Sequence, residues 1–152
     1  MNEKTERKLP TKEEWDIFIR EMESVFGLST LICDGYKVKG LRAVKSKNTL
    51  VIYVYVDSRI EGRWMVSHKV GENKALPQET IRFMRPRVRG LYKRKTRIVF
   101  EKMAGKKEAK EKGFYDKLVT YYPWWTSAAA LKRHLIKHNH DIEFVRNRHE
   151  GL

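Results

Sequence analysis

A basic segment between residues 82 and 97 is the densest group of side chains that could do chemistry. Its cationic members are Arg82, Arg85, Arg87, Arg89, Lys93, Arg94, Lys95 and Arg97. No acidic residue interrupts the segment, and Tyr92 lies within it. Guanidinium groups bind phosphate through paired hydrogen bonds, and an aromatic ring can stack on an unpaired base. The segment therefore predicts a nucleic-acid-binding site.

The spacing within this segment adds a geometric expectation. Arg85, Arg87 and Arg89 alternate with Pro86 and Val88. An extended chain would point all three arginine side chains to the same side, where they could follow a phosphate backbone. The alternative is a solvated segment that has no partner.

A second candidate is the aromatic run Tyr121-Tyr122-Pro123-Trp124-Trp125. Exposed rings of this kind stack on bases, so Trp124 and Trp125 join Tyr92 in the predicted binding site. The alternative is that the run packs in the core, because large aromatic side chains dominate core burial. We expect at least one of the two tryptophans to be buried.

Three acids could form a metal-dependent nuclease site, namely Asp34, Asp57 and Glu61, with Lys69 as a cationic partner. Each acid also suits a turn, as in Asp34-Gly35, and the spacing is not diagnostic. A nuclease therefore stays an alternative, and we assign no catalytic residue.

Histidines near the carboxyl end raise the question of a metal. His134 and His138 are four residues apart on a predicted helix, and His140, Asp141 and Glu143 follow. The chain has no HExxH motif, and its one cysteine offers a single thiol ligand. We therefore predict surface histidines, with no metal and no cofactor. The lysines between residues 102 and 112 alternate with glutamates, which is typical of a solvated helix.

The composition agrees with an anionic partner. The 152 residues carry a formal net charge of +14, and the sequence pI is about 9.9. Nucleic acid is the favoured partner, an acidic host protein is the alternative, and no membrane partner is expected. The lone Cys33 and a polar amino terminus without a signal-like apolar stretch predict a reducing, cytoplasmic location.

The amino-terminal half predicts one helix followed by antiparallel strands. Residues 1–10 form a charged flexible tail, and residues 11–152 form a single α+β domain. Thr11 and Glu14 have the spacing of a capping box, and Gly27 is the expected end of that first helix. Residues 49–56 form the strongest strand, which we place centrally in the sheet. A bulge at Gly40 and a further strand over residues 60–66 complete a meander.

The carboxyl-terminal half predicts helices packed on that sheet. After a loop over residues 68–76, a short helix begins at Pro77 and ends before Pro86. Charged helical sequence over residues 98–112 is weakened at Gly105. The last helix covers residues 128–138, capped by Thr126 or Ser127 and ended by Asn139 in a left-handed conformation. A final strand over residues 142–145 follows. The expected fold is a mainly antiparallel sheet covered by the first and last helices.

The run of residues 121–127, with Leu131-Lys132-Arg133-His134-Leu135 and Ile142-Glu143-Phe144, resembles uncharacterised small basic proteins of phages and mobile elements. The resemblance covers about the last quarter of the chain. It implies a phage-type origin and no activity, so no functional residue follows from it.

Together these patterns predict a nonenzymatic, basic nucleic-acid-binding accessory protein with little sequence specificity. DNA and RNA stay open. The first alternative is an interaction protein or inhibitor that binds an acidic host protein or nucleoprotein. The second alternative is the metal-dependent nuclease.

Overall fold

The computed structural model describes residues 6–72 and 74–146. The helices are α1 (Lys12–Glu23), α2 (Gln78–Phe83), α3 (Arg94–Ala104), α4 (Lys106–Glu111) and α5 (Ala128–His138). The strands are β1 (Leu28–Cys33), β2 (Tyr36–Ser46), β3 (Thr49–Val56), β4 (Ser67–Lys69), β5 (Arg85–Gly90), β6 (Lys117–Tyr122), β7 (Trp124–Trp125) and β8 (Ile142–Val145). A 3-10 turn, Gly62–Trp64, follows β3.

Two antiparallel sheets organise the strands. The larger sheet has five strands in the order β7-β3-β2-β1-β8, and the smaller has three in the order β4-β6-β5. The predicted α+β fold is confirmed, and β3 is internal to its sheet as expected. Within the described residues, none of the helices has the length and apolarity needed to span a bilayer.

Helices α1 and α5 cover one face of the five-stranded sheet. Phe18 and Met22 of α1 and Leu131 and Leu135 of α5 are almost completely buried. They share one cluster with sheet residues that include Leu31, Val38, Ile52 and Val54. The 3.6-residue repeat of the helices and the alternation of the strands bring these side chains to one layer.

The start of α1 follows the prediction, whereas its end does not. Thr11 Oγ1 accepts from the Glu14 backbone N–H at 3.2 Å, and Glu14 Oε1 accepts from the Thr11 N–H at 3.0 Å, so the capping box is confirmed. Gly27 is not the helix end, because α1 stops at Glu23 and Ser24 is its extended C-cap. A side chain at Gly27 would instead collide with the Glu21 carbonyl oxygen.

Two expectations for the meander are wrong. Gly40 stands in unbroken register with Ser29 and Val54, and the irregular pairing lies between Val44 and Ser46. Gly40 serves close packing, since a Cβ there would lie 2.5 Å from Met22 Sδ. Residues 60–66 form no strand, because Asp57 and Ser58 take positive φ angles and the chain then enters the 3-10 turn.

The later elements also depart from the prediction in part. The helical sequence of residues 98–112 lies in α3 and α4, which are separated at Gly105 with φ 88°. Ser127 caps α5 by accepting from the Ala130 N–H. Asn139 is extended rather than left-handed, and its buried side chain donates to the Leu135 carbonyl. Strand β4 overlaps the first two residues of the segment predicted as a loop, whereas β8 matches its predicted bounds.

The segment before α1 is tied to the carboxyl-terminal elements. The Arg7 guanidinium donates to the carbonyls of Ile136 and Asn139 at 2.6 and 2.8 Å. The Lys8 carbonyl accepts from the Ile142 N–H at 2.7 Å. The first five residues of the predicted flexible tail lie outside the described residues.

We expect Gly27→Ala to destabilise the fold by roughly 3 kcal/mol, because a backbone carbonyl cannot move away from the new methyl group. Gly40→Ala should cost less, since it meets the end of the flexible Met22 side chain. Gly62→Ala is the matched control, with open space around it and an expected change within about 1 kcal/mol. Urea unfolding measures all three, and equal losses would contradict this interpretation.

Candidate nucleic-acid interface

The predicted arginine row lies on one face of the three-stranded sheet. In β5, Arg85, Arg87 and Arg89 stand opposite Tyr122, Thr120 and Leu118 of β6. Cross-strand partners share a face, so these side chains lie together. Arg87 and Arg89 are exposed, and within the described residues neither makes an ion pair. We call Arg85, Arg87 and Arg89 the arginine row.

Arg85 connects this row to a group of rings. Its Nε donates to the Trp124 carbonyl at 3.0 Å, and its guanidinium lies 5.6 Å from the centre of the Tyr122 ring. The Tyr122 and Trp124 ring centroids are 4.6 Å apart, and Lys45 Nζ lies 4.0 Å from that of Trp124. We call Lys45, Arg85, Tyr122 and Trp124 the aromatic bridge. Two cations thus flank two neighbouring, partly exposed rings.

The aromatic bridge continues onto the five-stranded sheet. Trp124 stands opposite Tyr53 of β3, and Tyr53 in turn stands opposite Leu41 of β2. Two residues further along, Tyr55 stands opposite Lys39. These residues occupy the sheet face opposite to Gly40 and Ile52, which face α1.

We call Lys37, Lys39, Leu41, Tyr53 and Tyr55 the tyrosine face. Lys37 is exposed and the other four residues are partly exposed. Within the described part of the chain, neither tyrosine hydroxyl has a hydrogen-bond partner. We did not predict this face as part of the site, although the alternation of Tyr53 and Tyr55 in β3 and of Lys37 and Lys39 in β2 indicates it.

Arg82 is not available to a ligand in the way the sequence predicts. Its guanidinium forms an ion pair with Asp34 at 2.6 Å and donates to the side-chain oxygen of Asn139 at 3.2 Å. It also lies 5.7 Å from the Tyr36 ring centre. Its cationic group already neutralises a carboxylate of the fold, so Arg82 has a structural role beside its predicted one.

Trp125 is also unavailable, so its predicted stacking role is wrong. Its side chain is 4% exposed, and its Nε1 donates to the Phe83 carbonyl at 3.1 Å. Its neighbour Trp124 is partly exposed. Successive residues of a strand point to opposite faces, so one tryptophan enters the core while the other reaches the surface.

The remaining predicted binding residues lie at the start of α3. Lys93, Arg94 and Lys95 are exposed, whereas Arg97 is partly buried and its Nε has no partner among the described residues. Tyr92 stacks on Phe114 with ring centroids 4.6 Å apart, so one of its faces is already covered. These cations extend the charge of the arginine row along the chain.

The proposed nuclease acids serve the fold. Asp57 Oδ1 accepts from the Lys37 N–H at 3.0 Å, and Glu61 pairs with Arg63 at 3.3 Å. Lys69 pairs with Asp116. Asp34, Asp57 and Glu61 do not gather their ligand oxygens within 4.8 Å of one another in the described structure.

One group of potential metal ligands is found among the described residues, and it consists of Asp34, His140 and Asp141. The carboxylate oxygens of Asp34 already accept hydrogen bonds from the fold. Asp34 accepts from the backbone N–H groups of His140 and Asp141, both at 2.8 Å, as well as from Arg82. Although burial alone would raise the pKa of Asp34, these bonds hold it below its usual value. The group fastens the end of β1 to the segment before β8.

The histidine pair of α5 packs beside the core. His134 Nε2 lies 3.0 Å from the Ile81 carbonyl oxygen, and the His134 and His138 rings are 4.2 Å apart. Burial, helped by the charges of His138 and Lys137, lowers the pKa of His134 to about 4. His134 is therefore neutral at pH 7 and donates to Ile81, which is a structural role.

The lowered pKa of His134 predicts a loss of stability in acid. An unfolded histidine gains its proton near pH 6.5, whereas the folded one does so near pH 4. Between these values the unfolded state holds more protons, so stability falls as the pH is lowered. We expect the melting temperature to drop less between pH 7 and pH 4.5 in His134→Gln, whose amide can still donate to Ile81. The same drop in both proteins would contradict the assignment.

The Arg82 ion pair predicts that removing this arginine destabilises the fold more than removing an exposed arginine. Arg82→Gln should destabilise the fold by about 1–3 kcal/mol, because Asp34 loses its cation in a partly buried place. The exposed Arg87→Gln is the matched control and should change stability by no more than about 0.5 kcal/mol. Urea unfolding gives both values, and a larger loss for Arg87 would reverse these assignments.

The chain was compared with known proteins in three ways. No protein-family model matches it, no curated protein matches it, and no solved structure matches it. The resemblance to small phage proteins stays a prediction.

Proposed function

We propose that this protein binds nucleic acid, without catalysis and with little sequence preference, on a surface formed by three connected groups. These are the arginine row, the aromatic bridge and the tyrosine face. The observation that carries the proposal is the 4.6 Å contact between Tyr122 and Trp124, which joins the two sheets' exposed faces. Cations and rings are thereby side by side on one surface, which is the arrangement that polynucleotides require.

The arginine row supplies phosphate contacts. Arg87 and Arg89 are exposed and carry no counterion from the described chain, so their charge is free to pair with phosphate. Each phosphate neutralised releases condensed counterions, which favours binding and makes it sensitive to salt. The net charge of +14 adds long-range attraction for any polynucleotide.

The first turn of α3 supports the same function. It carries Arg94 and Lys95 after Lys93 and has no acidic residue, and its N-cap makes no side-chain hydrogen bond. Cations at a helix amino terminus oppose the helix dipole. A phosphate bound there would interact favourably with both the cations and the free backbone N–H groups.

The chemistry of the surface explains the expected lack of sequence preference. Arginine and lysine contact the backbone, which is the same at every nucleotide. Aromatic rings stack on any base because every base has a π face. The three defined groups contain no asparagine or glutamine, the side chains that recognise adenine edges.

Reducing, cytoplasmic surroundings and a phage-type origin belong to this proposal. The one thiol, Cys33, is buried in the core, and burial raises its pKa to about 12. It is therefore protonated and unreactive at neutral pH. Such a cysteine suits a protein that needs no disulfide.

Arg87→Gln with Arg89→Gln should weaken binding and reduce its salt dependence. Each lost phosphate contact lowers the log–log salt slope by about 0.9 on duplex DNA or about 0.7 on a single strand. The double variant, which lacks two phosphate contacts, should therefore lower the slope by about twice that amount. Fluorescence anisotropy with labelled oligonucleotides, recorded between about 50 and 200 mM salt, measures this salt dependence.

Lys107→Gln with Lys110→Gln is the matched control. It removes the same charge from α4, whose cations alternate with glutamates. Its effect on the slope should be much smaller. Equal losses in the two double variants would show that net charge, rather than the arginine row, drives binding.

A second candidate is the binding of an acidic protein, which a strip along α3 favours. Val99 is 57% exposed and Met103 is 81% exposed. They line a cavity of about 420 Å³ together with Lys95, Phe100 and Phe114. Exposed apolar side chains beside cations are typical of a protein-binding surface. If no oligonucleotide binds at 50 mM salt, this candidate replaces the first.

A further inference from the structure

We infer that the nucleic acid is single-stranded and that its bases stack on Tyr53, Tyr55 and Trp124. This inference rests on the proposed function and names its substrate class. It is carried by the register that places Tyr53 between Trp124 and Leu41 and places Tyr55 opposite Lys39. The three rings therefore lie on one sheet face and beside one another.

The two tyrosines are spaced for successive bases. They are separated by two residues of an extended strand, which corresponds to roughly 7 Å. Both rings are partly exposed, and within the described residues neither takes part in a ring stack or a cation–π contact. Neither ring is therefore occupied by another aromatic ring or by a cation of the described chain.

The shape of the surface disfavours a duplex. In a duplex the faces of the bases are stacked on each other, so only base edges and the backbone can be reached. The major groove admits a helix or a two-stranded ribbon, whereas the tyrosine face belongs to a five-stranded sheet. Rings on such a sheet are useful only to unpaired bases, which can leave the stack.

The charges around the rings match a single strand and define its course. Lys39 stands opposite Tyr55, Lys37 precedes Lys39 by two residues on the same face of β2, and Lys45 lies over the Trp124 ring. At the β8 edge of the same sheet face, Glu143 stands opposite Ile32, and its negative charge repels phosphate. The bound nucleic-acid strand therefore runs from Lys39 over Tyr55, Tyr53 and the aromatic bridge to the arginine row, and it avoids β8.

One titration tests this inference. The same mixed sequence of twelve nucleotides, with a fluorescent label, is offered as single-stranded DNA, single-stranded RNA and duplex DNA, and anisotropy gives each Kd. We expect at least one single-stranded form to bind tenfold or more tightly than the duplex. Tyr53→Leu with Tyr55→Leu should lower single-strand affinity by about 30-fold or more, which is the loss of two stacked bases, and leave the salt slope unchanged.

Tyr53→Phe with Tyr55→Phe is the matched control and should retain affinity, because phenylalanine keeps the ring. Equal or tighter duplex binding, or wild-type affinity in a folded leucine variant, would overturn the inference and leave the proposed function standing. No binding to any of the three forms would overturn both.

If the leucine variant fails to fold, the stacking of bases on the tyrosine face is tested with the unmodified protein. Backbone amide NMR shifts should change along β2 and β3 when the single strand is added. Changes confined to β5 and α3 would overturn the stacking of bases on the tyrosine face.

Discussion

Both amphipathic helices that flank the core, α1 and α5, pack on the same face of the five-stranded sheet, and this one-sided burial shapes the rest of the molecule. Met22 approaches β2 so closely that a Cβ at position 40 would lie 2.5 Å from its Sδ. The burial of Phe18, Met22, Leu131 and Leu135 supplies much of the apolar contact that holds the sheet. Because the helices occupy one face, Tyr53 and Tyr55 on the other face remain partly exposed.

The short strand β7 connects this core to the proposed binding surface. Trp125 points inward and donates to the Phe83 carbonyl, which fixes α2 against the larger sheet. Trp124 points outward, and its carbonyl accepts from Arg85. Strand β7 thus buries the ring of Trp125 in the core and leaves the ring of Trp124 partly exposed at the surface. The position of Trp124 depends on the burial of its neighbour, so the surface is held by the core rather than by a loop.

Local signals in the sequence were sufficient for some of the elements and insufficient for the site. The Thr11 and Glu14 capping box, the bounds of β3 and the alternation of the arginines could be predicted because each depends on neighbours in the chain. Arg82 could not be separated from the other cations, because its partner Asp34 is 48 residues away. Asn139 was expected to end α5 in a left-handed conformation, but it is extended and its side chain bonds to Arg82, which only the tertiary structure reveals.

The arginine row also has an explanation that involves no ligand. Strand β5 lies at the edge of its sheet, and charged side chains and proline at such an edge prevent pairing with another chain. Pro86, Arg87 and Arg89 meet that need. Edge protection, however, requires only charge along β5, and it gives no reason for Arg85 to adjoin Tyr122 or for Lys45 to lie over Trp124. The connection between the row and the rings is therefore what distinguishes a binding surface from a protected edge.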